Sequence, residues 1–351
     1  MWMLRAREPS HVDGPQSQGI VDALRRCGLA SADHAVRLEP LAGGVCSDIF
    51  VARLAQGRTV VVKRSIGRMR VAEEWLAPAD RAGSEARWLR LARTIDPSLA
   101  PEVLAEDEAA HLFVMEWLDP VRHPVWKHEL AAGRIAPAFA EQVGRSLALL
   151  HAATAGSDEI AAAFPNREVF RDLRISPFLL FTAERNPGSA PRLRALAARL
   201  AEARIALIHG DVSPKNILVG PRGPVFLDAE TCVFGDPAFD LAFCLSHLLL
   251  KTVWLKRHRE PLHACLRGLT DSYLAHVDWE GPAGLSTRAA EMVAALLLAR
   301  VDGKSPAPYL VEAKDRDFVR AAGIALLADT PADVPALEQR WRLAWDESFG
   351  R

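Results

Sequence analysis

The chain has 351 residues, of which 50% are hydrophobic and 25% are charged, and this length suffices for two lobes that each bury a core. Its formal net charge of −1 excludes the basic excess that binding to nucleic acid or to an anionic membrane requires. The five cysteines include no C-x-x-C pair and no zinc-type spacing to a histidine, so we expect no structural metal, no disulfide framework and a cytoplasmic location.

No apolar signal-peptide core stands near the start of the chain, and no segment reaches the roughly 18 apolar residues of a membrane span. We therefore expect neither a signal peptide nor a membrane span.

Strands are the main predicted elements of residues 1–116. Periodicity and turn signals predict helices over 17–28 and 80–93, and strands over 36–41, 49–54, 60–63, 103–104 and 112–117. This order indicates a small, strand-rich N-terminal lobe.

Helices dominate the predicted structure of residues 117–351. Apolar positions at helical spacing predict helices over 138–152, 176–186, 190–204, 237–252, 258–276, 285–300, 315–328 and 335–345. Internal repeats and low-complexity segments are absent from the sequence. We therefore predict an α+β protein with a strand-rich lobe over 1–116 and a larger helical lobe over 117–351.

The most informative segment is 208–219, which reads Ile-His-Gly-Asp-Val-Ser-Pro-Lys-Asn-Ile-Leu-Val. It sets Asp211 and Asn216 five residues apart, and Asp228 follows at the end of an apolar strand. Phosphoryl transfer from ATP needs one carboxylate to accept the proton of the attacking hydroxyl, and an amide oxygen and a second carboxylate to hold Mg²⁺. The spacing matches the kinase pattern H-R-D-x-x-x-x-N followed by D-F-G. It predicts an ATP- and Mg²⁺-dependent enzyme with Asp211 as the catalytic base.

With Gly210 in place of the arginine, this motif resembles the aminoglycoside phosphotransferase and choline kinase family, the small-molecule branch of the protein-kinase-like fold. The resemblance extends from about residue 38 to residue 245 and more loosely beyond. It implies a two-lobed, protein-kinase-like α+β fold and transfer of phosphate from ATP to a small molecule. The chain departs from the kinase pattern at Ala229-Glu230, which replaces Phe-Gly, and at Ser213, where protein kinases carry a lysine.

Lys63 follows three valines and is the predicted ligand of the α- and β-phosphates of ATP. The alternative is a lysine at a strand edge whose amine reaches the solvent. In kinases a glutamate on a helix holds this lysine, and we prefer Glu85 because it lies on the helix predicted over 80–93. Glu73 and Glu74 are nearer to Lys63 along the chain and stay open as alternatives.

Five further positions are assigned to nucleotide binding. Gly43 and Gly44 stand between two predicted strands, where glycine lets the backbone approach phosphate oxygens, although an ordinary hairpin turn is the alternative. Ser47 stands where the resembling family often has asparagine. Glu116 and Leu118 belong to the predicted hinge between the lobes.

Asn216, Asp228 and Glu230 are the predicted metal ligands, because hard oxygen donors suit Mg²⁺. For Glu230 a structural salt bridge is an equal alternative. Asp240 is expected to brace the backbone of the catalytic loop, and Lys215 is expected to be a solvated surface lysine. The resemblance implies that His209 is structural, with its ring bonded to backbone groups around the loop.

The acceptor is predicted to be a small molecule that carries a hydroxyl group. Three basic segments, 123–127, 251–259 and 300–305, are candidate walls of its site, with a solvated surface as the alternative for each. Because the C-terminal third is not strongly acidic, we favour a neutral or anionic metabolite over a polycationic aminoglycoside. Another antibiotic, a sugar such as methylthioribose and an amino alcohol are further candidates.

Two other classes of function compete with this prediction. A catalytically weak nucleotide-binding module is disfavoured because Lys63, Asp211, Asn216 and Asp228 are all present. A protein kinase is disfavoured because nothing like an A-P-E segment follows Asp228. Neither nucleic acid nor a membrane is an expected partner, and the sequence leaves the oligomeric state open.

Overall fold

The first part of the protein is a five-stranded antiparallel sheet with the strand order β1-β2-β3-β5-β4. The computed structural model describes residues 15–31, 33, 35–41, 47–66 and 81–350. The strands are β1 (Arg37–Pro40), β2 (Ser47–Arg53), β3 (Thr59–Ser65), β4 (Val103–Asp107) and β5 (Leu112–Glu116). Helix α1 (Pro15–Arg26) precedes the sheet, and α2 (Arg81–Ile95) lies between β3 and β4 in the chain.

Strand β3 is buried on both faces of the sheet, in keeping with its run of β-branched valines. Val60 and Val62 pack with residues of α1, whereas Val61 belongs to the cluster that contains Trp88 of α2. Side chains alternate along a strand, so Lys63 projects from the same face as Val61. The alternation therefore points this lysine towards α2.

The second part is mainly helical and has two small strand pairs. The pairs are β6 (Ala206–Ile208) with β9 (Val233–Gly235), and β7 (Ile217–Gly220) with β8 (Gly223–Phe226). The helices are α3 (Trp126–Ala131), α4 (Pro137–Thr154), α5 (Asp158–Ala163), α6 (Arg167–Phe170), α7 (Phe181–Arg185), α8 (Ala190–Glu202), α9 (Pro237–Trp254), α10 (Arg259–Leu274), α11 (Pro282–Asp302), α12 (Ala313–Ala328) and α13 (Val334–Phe349). The α+β fold class predicted from the sequence is confirmed.

The prediction of a helix over 176–186 was wrong about where the helical segment begins. A π-helical segment, Arg171–Leu180, joins α6 to α7, so the chain is helical from Arg167 to Arg185. Pro177 lies inside it. Because proline lacks the N–H of a regular helical turn, the sequence pattern predicts a helix that begins only beside this residue. The six-residue helices α3 and α5 were not predicted because each is too short to show a full hydrophobic period.

Helix α9 is the central element of the helical part, and it is buried from Pro237 to Val253. It packs against α10 and α11, and α10 packs in turn against α4. The carboxylate of Asp236 caps its first turn by accepting the N–H of Ala238 at 3.0 Å. Among the described residues, no single helix has the length and hydropathy of a membrane span. The segments Pro237–Trp254 and Lys256–Leu274 meet both criteria only as a pair bent by 118°.

Candidate active site

Lys63 connects the sheet, helix α2 and the segment after β8. Its Nζ lies 2.6 Å from Oε2 of Glu85 and also forms an ion pair with Asp228. Lys63 and Glu85 are 3% and 2% exposed, whereas the side chain of Asp228 is 32% exposed. The backbone N–H of Asp228 also donates to Oε1 of Glu85, at 3.2 Å. Glu85 therefore holds both the amine of Lys63 and the backbone N–H of Asp228.

The charges of this group shift one another's pKa values. Burial opposes the charged form of Lys63, yet the carboxylates of Asp228, Glu85 and Glu230 raise its pKa. Burial raises the pKa of Glu85 against the effect of Lys63. The pKa of Asp228 is lowered despite burial, because Lys63 and Lys215 stabilise its carboxylate. Lys63 is therefore protonated and Asp228 ionised at neutral pH.

The loop between β6 and β7 is braced by Asp240, which is fully buried on α9. Its Oδ2 accepts the backbone N–H of His209 at 2.6 Å, and its Oδ1 accepts that of Gly210 at 2.8 Å. His151 Nε2 lies 3.3 Å from the same carboxylate. The contacts of Asp240 are thus with the loop backbone, as expected from the sequence.

Gly210 has a φ of +80°, and a Cβ built on it would lie 2.6 Å from the backbone oxygen of Thr231. Both the backbone conformation and the space exclude a side chain without rearrangement. This packing explains why glycine stands where the kinase pattern has arginine.

The ring of His209 joins two backbone groups. Its Nδ1 accepts the N–H of Asp211 at 3.2 Å, so Nε2 carries the proton and donates to the carbonyl of Leu227 at 3.0 Å. Burial lowers its pKa, which keeps the ring neutral. His209 therefore connects the loop between β6 and β7 to Leu227, the residue before Asp228.

The carboxylate of Asp211 is held by two cations. Its Oδ2 lies 3.1 Å from Nη2 of Arg174 and 3.0 Å from Nζ of Lys215. Burial opposes ionisation, but Lys215 and Arg174 lower the pKa of Asp211 below its ordinary value. Lys215 was expected to be a solvated surface lysine; its side chain is 52% exposed but is ion-paired to Asp211. Asp211 is therefore an ionised acceptor of hydrogen bonds.

Asn216 and Asp228 are brought together by the β7–β8 hairpin. Ile217 pairs with Phe226 in its register, and the carbonyl of Asn216 accepts the N–H of Leu227 at 2.9 Å. The amide Nδ2 of Asn216 donates to the carbonyl of Asp211 at 3.0 Å, so its Oδ1 is the remaining donor atom for a ligand. One amide oxygen and one carboxylate fit Mg²⁺, which takes few protein ligands beside the phosphates it binds.

Glu230 contacts Arg81 of α2, with 3.3 Å between Oε2 and Nε. Both side chains are buried, at 6% and 0% exposure. This contact corresponds to the structural salt bridge that the sequence left open beside a metal role. Within the described ranges, no group of three or more His, Cys, Asp or Glu side chains is arranged to hold a metal ion.

The remaining predicted positions are only partly described. Gly43 and Gly44 lie outside the described residues, as do the alternatives Glu73 and Glu74. Ser47 begins β2 and is 3% exposed, and its hydroxyl has no hydrogen-bond partner in the described part of the chain. Glu116 ends β5, where its N–H donates to the carbonyl of Glu102 at 2.9 Å, and Leu118 follows it.

Sequence reasoning missed Arg174 and Arg81, which hold Asp211 and Glu230. Neither arginine stands in a motif, and each lies more than thirty positions from its partner in the printed sequence. An isolated arginine on a helix carries no local signal of such a role.

Three comparisons place the chain among known proteins. The model of a family described as "Phosphotransferase enzyme family" matches residues 37–285. The methylthioribose kinase of Yersinia pseudotuberculosis is 31% identical over 261 residues, which cover 66% of this chain and 63% of that protein. The methylthioribose kinase of Yersinia enterocolitica is 30% identical over 291 residues, 74% and 72% of the two chains. The chain thus spans less than two thirds of the length of the first relative.

Two solved structures share the fold at low sequence identity. The aminoglycoside phosphotransferase of Alicyclobacillus acidocaldarius has a TM-score of 0.50 and 17% identity, covering 99% of both chains. The ethanolamine kinase of Plasmodium vivax has a TM-score of 0.53 and 12% identity, covering 95% of this chain and 89% of that one.

Proposed function

This chain belongs to the phosphotransferase enzyme family, and on that premise we propose that it transfers the γ-phosphate of ATP to a hydroxyl group of a small molecule. The observation that carries the proposal is the convergence of Lys63, Glu85 and Asp228 beside the braced loop that holds Asp211. The carboxylates of Asp211 and Asp228 are close enough for Asp228 to affect the pKa of Asp211. A buried cation and two carboxylates thus lie close together, which supports their proposed roles as phosphate ligand, metal ligand and base.

The protonated amine of Lys63 would bind the phosphates of ATP, with Glu85 fixing its position. Buried between these groups, the charge of Lys63 interacts more strongly with phosphate than it would in water. We also assign Gly43, Gly44, Ser47, Glu116 and Leu118 to the nucleotide. The buried, unpartnered hydroxyl of Ser47 supports its part in this assignment.

Asn216 and Asp228 would hold Mg²⁺, which neutralises charge on the phosphates when bound. The free Oδ1 of Asn216 and the partly exposed carboxylate of Asp228 support this role. For Glu230 we propose the structural role, since its carboxylate is engaged by the buried Arg81.

Asp211 would orient the acceptor hydroxyl and receive its proton. As the hydroxyl oxygen bonds to the γ-phosphorus, the bond from that phosphorus to the β–γ bridging oxygen breaks and ADP leaves. The proton of the hydroxyl passes to Asp211. The lowered pKa of Asp211 keeps the carboxylate ready to accept the hydrogen bond.

Lys215 would supply the cation that protein kinases place at the position of Ser213. Ser213 is fully buried, whereas Nζ of Lys215 is 3.0 Å from Asp211 and its side chain reaches the solvent. An ammonium group there would stabilise charge on the transferring phosphoryl group.

The acceptor, the boundary between the lobes and the cellular location are also proposed, in more general terms. Methylthioribose is the first acceptor to test, because methylthioribose kinases are among the relatives. The end of β5 at Glu116 supports a lobe boundary between 116 and 117. The described cysteines, Cys27, Cys232, Cys244 and Cys265, are unpaired, which supports a reducing cytoplasmic location.

The test is release of ADP from Mg·ATP in the presence of a panel of hydroxyl compounds that includes methylthioribose, ethanolamine and kanamycin. We expect turnover with at least one compound, and Asp211→Asn to lower kcat by about 10²–10⁴, the usual contribution of a general base, with little change in the Kd for ATP. The control is Asp317→Asn, at a side chain that is 72% exposed. Binding of Mg·ATP without acceptor-dependent release of ADP would instead identify a nucleotide-binding module.

A further inference from the structure

Three cations from different helices lie together on the helical side of the site. Lys127 is on α3, Lys251 on α9 and Arg300 at the end of α11; we call them the cationic cluster. Lys251 is 1% exposed and Arg300 is 9% exposed. Burial lowers the pKa of Lys251 to about 7, and the charges of Lys127 and Arg300 contribute to this lowering. Arg300 likewise contributes to the lowered pKa of Lys127, so the three charges are close enough to affect one another.

No carboxylate among the described residues forms an ion pair with the cationic cluster, although Asp211 is near enough for its charge to oppose the lowering of the pKa of Arg300. Nζ of Lys251 has the carbonyl of His247 as its acceptor, at 3.5 Å, and lies 5.2 Å from the ring centre of Tyr309. Arg300 donates through Nη1 to Ser305, and its Nε has no hydrogen-bond partner in the described part of the chain. A buried cation without an ion-pair partner is costly, and the lowered pKa of Lys251 reflects this cost. A bound anion would offset it.

Two other partly buried cations of the helical part, Arg288 and Arg320, are matched by carboxylates. Arg288 contacts both Asp236 and Glu280, at 2.9 and 2.8 Å, and Arg320 contacts Asp302 at 2.9 Å. The cationic cluster differs from these two arginines in having no ion pair with a described carboxylate. Its positive charge is therefore available to a bound ligand.

The cationic cluster borders the catalytic loop. The N–H of Lys127 donates to the carbonyl of Pro214 at 2.8 Å, which fixes the start of α3 against the loop. The guanidinium groups of Arg300 and Arg174 lie 5.9 and 6.0 Å from the ring centre of Phe178. Arg174 in turn contacts Asp211. An anion held by the cluster would therefore lie near the proposed base.

An aromatic wall adjoins these charges. Trp254 lies against Tyr309, with 4.9 Å between ring centres, and Phe243 lies 5.3 Å from His247. His247 and Lys251 follow Phe243 at intervals of four residues and so share one face of α9. Burial and then the positive charges of Arg300 and Lys251 lower the pKa of His247 well below its ordinary value, so its ring is neutral. The surroundings of the cluster combine apolar surface with positive charge.

We infer that the cationic cluster binds an anionic group of the acceptor, so that the acceptor is an acidic hydroxyl compound, with a carboxylate or a phosphate group beside its reactive hydroxyl. The inference rests on the proposed phosphotransferase function and names its substrate class. Neutral sugars would leave the buried cations unpaired, and polycationic aminoglycosides would be repelled.

The test uses four three-carbon probes that differ in charge: glycerate, glycerol 3-phosphate, glycerol and 3-amino-1,2-propanediol. Their binding is measured by calorimetry and thermal shift with Mg·AMP-PNP bound, so that the nucleotide site is filled. We expect the anionic probes to bind about 10- to 100-fold more tightly than glycerol, the usual effect of charge-assisted hydrogen bonds, and the amine to bind least. The ratio of glycerate to glycerol 3-phosphate affinity distinguishes a carboxylate acceptor from a phosphate acceptor.

Lys251→Met keeps the length of the side chain and removes its charge, so we expect it to abolish the preference for anions. Lys127→Met, at a half-buried position, is the second variant in case the first does not fold. Lys314→Met is the matched control, because Lys314 is an exposed lysine of α12 outside the three candidate wall segments. No preference for anions in the wild type, or a preference that survives both lysine substitutions, overturns the inference.

Failure of the inference and failure of the proposed function give different results. Phosphorylation of methylthioribose or kanamycin without any preference for anionic probes would keep the phosphotransferase and remove the anion site. Lack of Mg·ATP binding or of any acceptor-dependent ADP release would remove the phosphotransferase, and with it the substrate class inferred here.

Discussion

Arg174 lies beside the carboxylate of Asp211, with 3.1 Å between Nη2 and Oδ2, and the same side chain donates to the carbonyl of Gly210. The arginine comes from the π-helical segment Arg171–Leu180, at a distance along the chain from the loop that it holds. Its charge is one of the two that lower the pKa of Asp211. This pair connects the helical part to the proposed base.

Removal of Arg174 is expected to move the acid limb of the pH–activity profile. Arg174 favours ionised Asp211, so Arg174→Met raises the pKa of Asp211, and kcat/KM then begins to fall at a higher pH than in the wild type. The measurement is kcat/KM from pH 3 to 8 for both proteins, because the pKa of Asp211 in the wild type lies below its ordinary value of 3.8. Arg171→Met is the control, at an arginine of the same segment whose ion pair is with Asp172 instead. An unchanged acid limb in Arg174→Met would mean that the ion pair has no part in setting the protonation of Asp211.

ATP binding is expected to depend on Mg²⁺ through Asp228. Because Asn216 and Asp228 are the proposed ligands, Asp228→Ala should remove the difference between ATP affinity with Mg²⁺ and ATP affinity in EDTA. Calorimetric titration of both proteins under both conditions measures it. Glu230→Gln serves as the control, since its carboxylate contacts Arg81. Equal affinity of the wild type with and without Mg²⁺ would contradict the metal assignment.

Lys63 and Glu85 are expected to act as one unit. Their contact of 2.6 Å is buried, and loss of either partner leaves the other without its main role. Lys63→Ala and Glu85→Ala should each impair turnover, and the double variant should be hardly worse than either, because residues that act together are non-additive. Fully multiplicative losses in kcat/KM would show independent roles. A silent Glu85→Ala combined with an impaired Glu73→Ala or Glu74→Ala would show that the other glutamate is the functional partner.

Lys251 is expected to make stability depend on pH. Its pKa is lowered from 10.5 to about 7 in the folded protein, so between these values the unfolded chain binds more protons than the folded one. The free energy of unfolding should therefore rise with pH across this window, by at most about 1.4 kcal/mol per pH unit from this group. Below pH 7 Lys251 is charged in both the folded and the unfolded state, so the free-energy cost of burying its charge is fully present.

Lys251→Met lacks this titration, so it should be more stable than the wild type at pH 7, and the difference should shrink towards pH 10. Urea unfolding of both proteins at pH 7, 8.5 and 10 measures the difference. Lys314→Met, at an exposed lysine of α12, should show no such trend. A difference that is constant with pH would mean that Lys251 titrates alike in both states.

Much of the site could be predicted from the sequence because its parts are local. Asp211 and Asn216 belong to one short loop before β7, and Asp228 follows β8, the strand that pairs with β7. The backbone geometry of such a loop and hairpin depends on neighbouring residues, so spacing alone indicates which atoms meet. The α+β fold class followed from hydrophobic periods in the same way, since a strand or a helix records its buried face in its own sequence.

What only the tertiary structure decided are the contacts between segments that are far apart in the chain. These include the choice of Glu85 as the partner of Lys63, the contact of Arg174 with Asp211, and the contact of Arg81 with Glu230. They depend on how helices pack, and a single arginine or glutamate on a helix has the same local pattern whether it faces solvent or a buried carboxylate. The cationic cluster is the clearest case, because α3, α9 and α11 each contribute one cation. That these cations form no ion pair with a carboxylate of the described residues is visible only after the helices have been brought together.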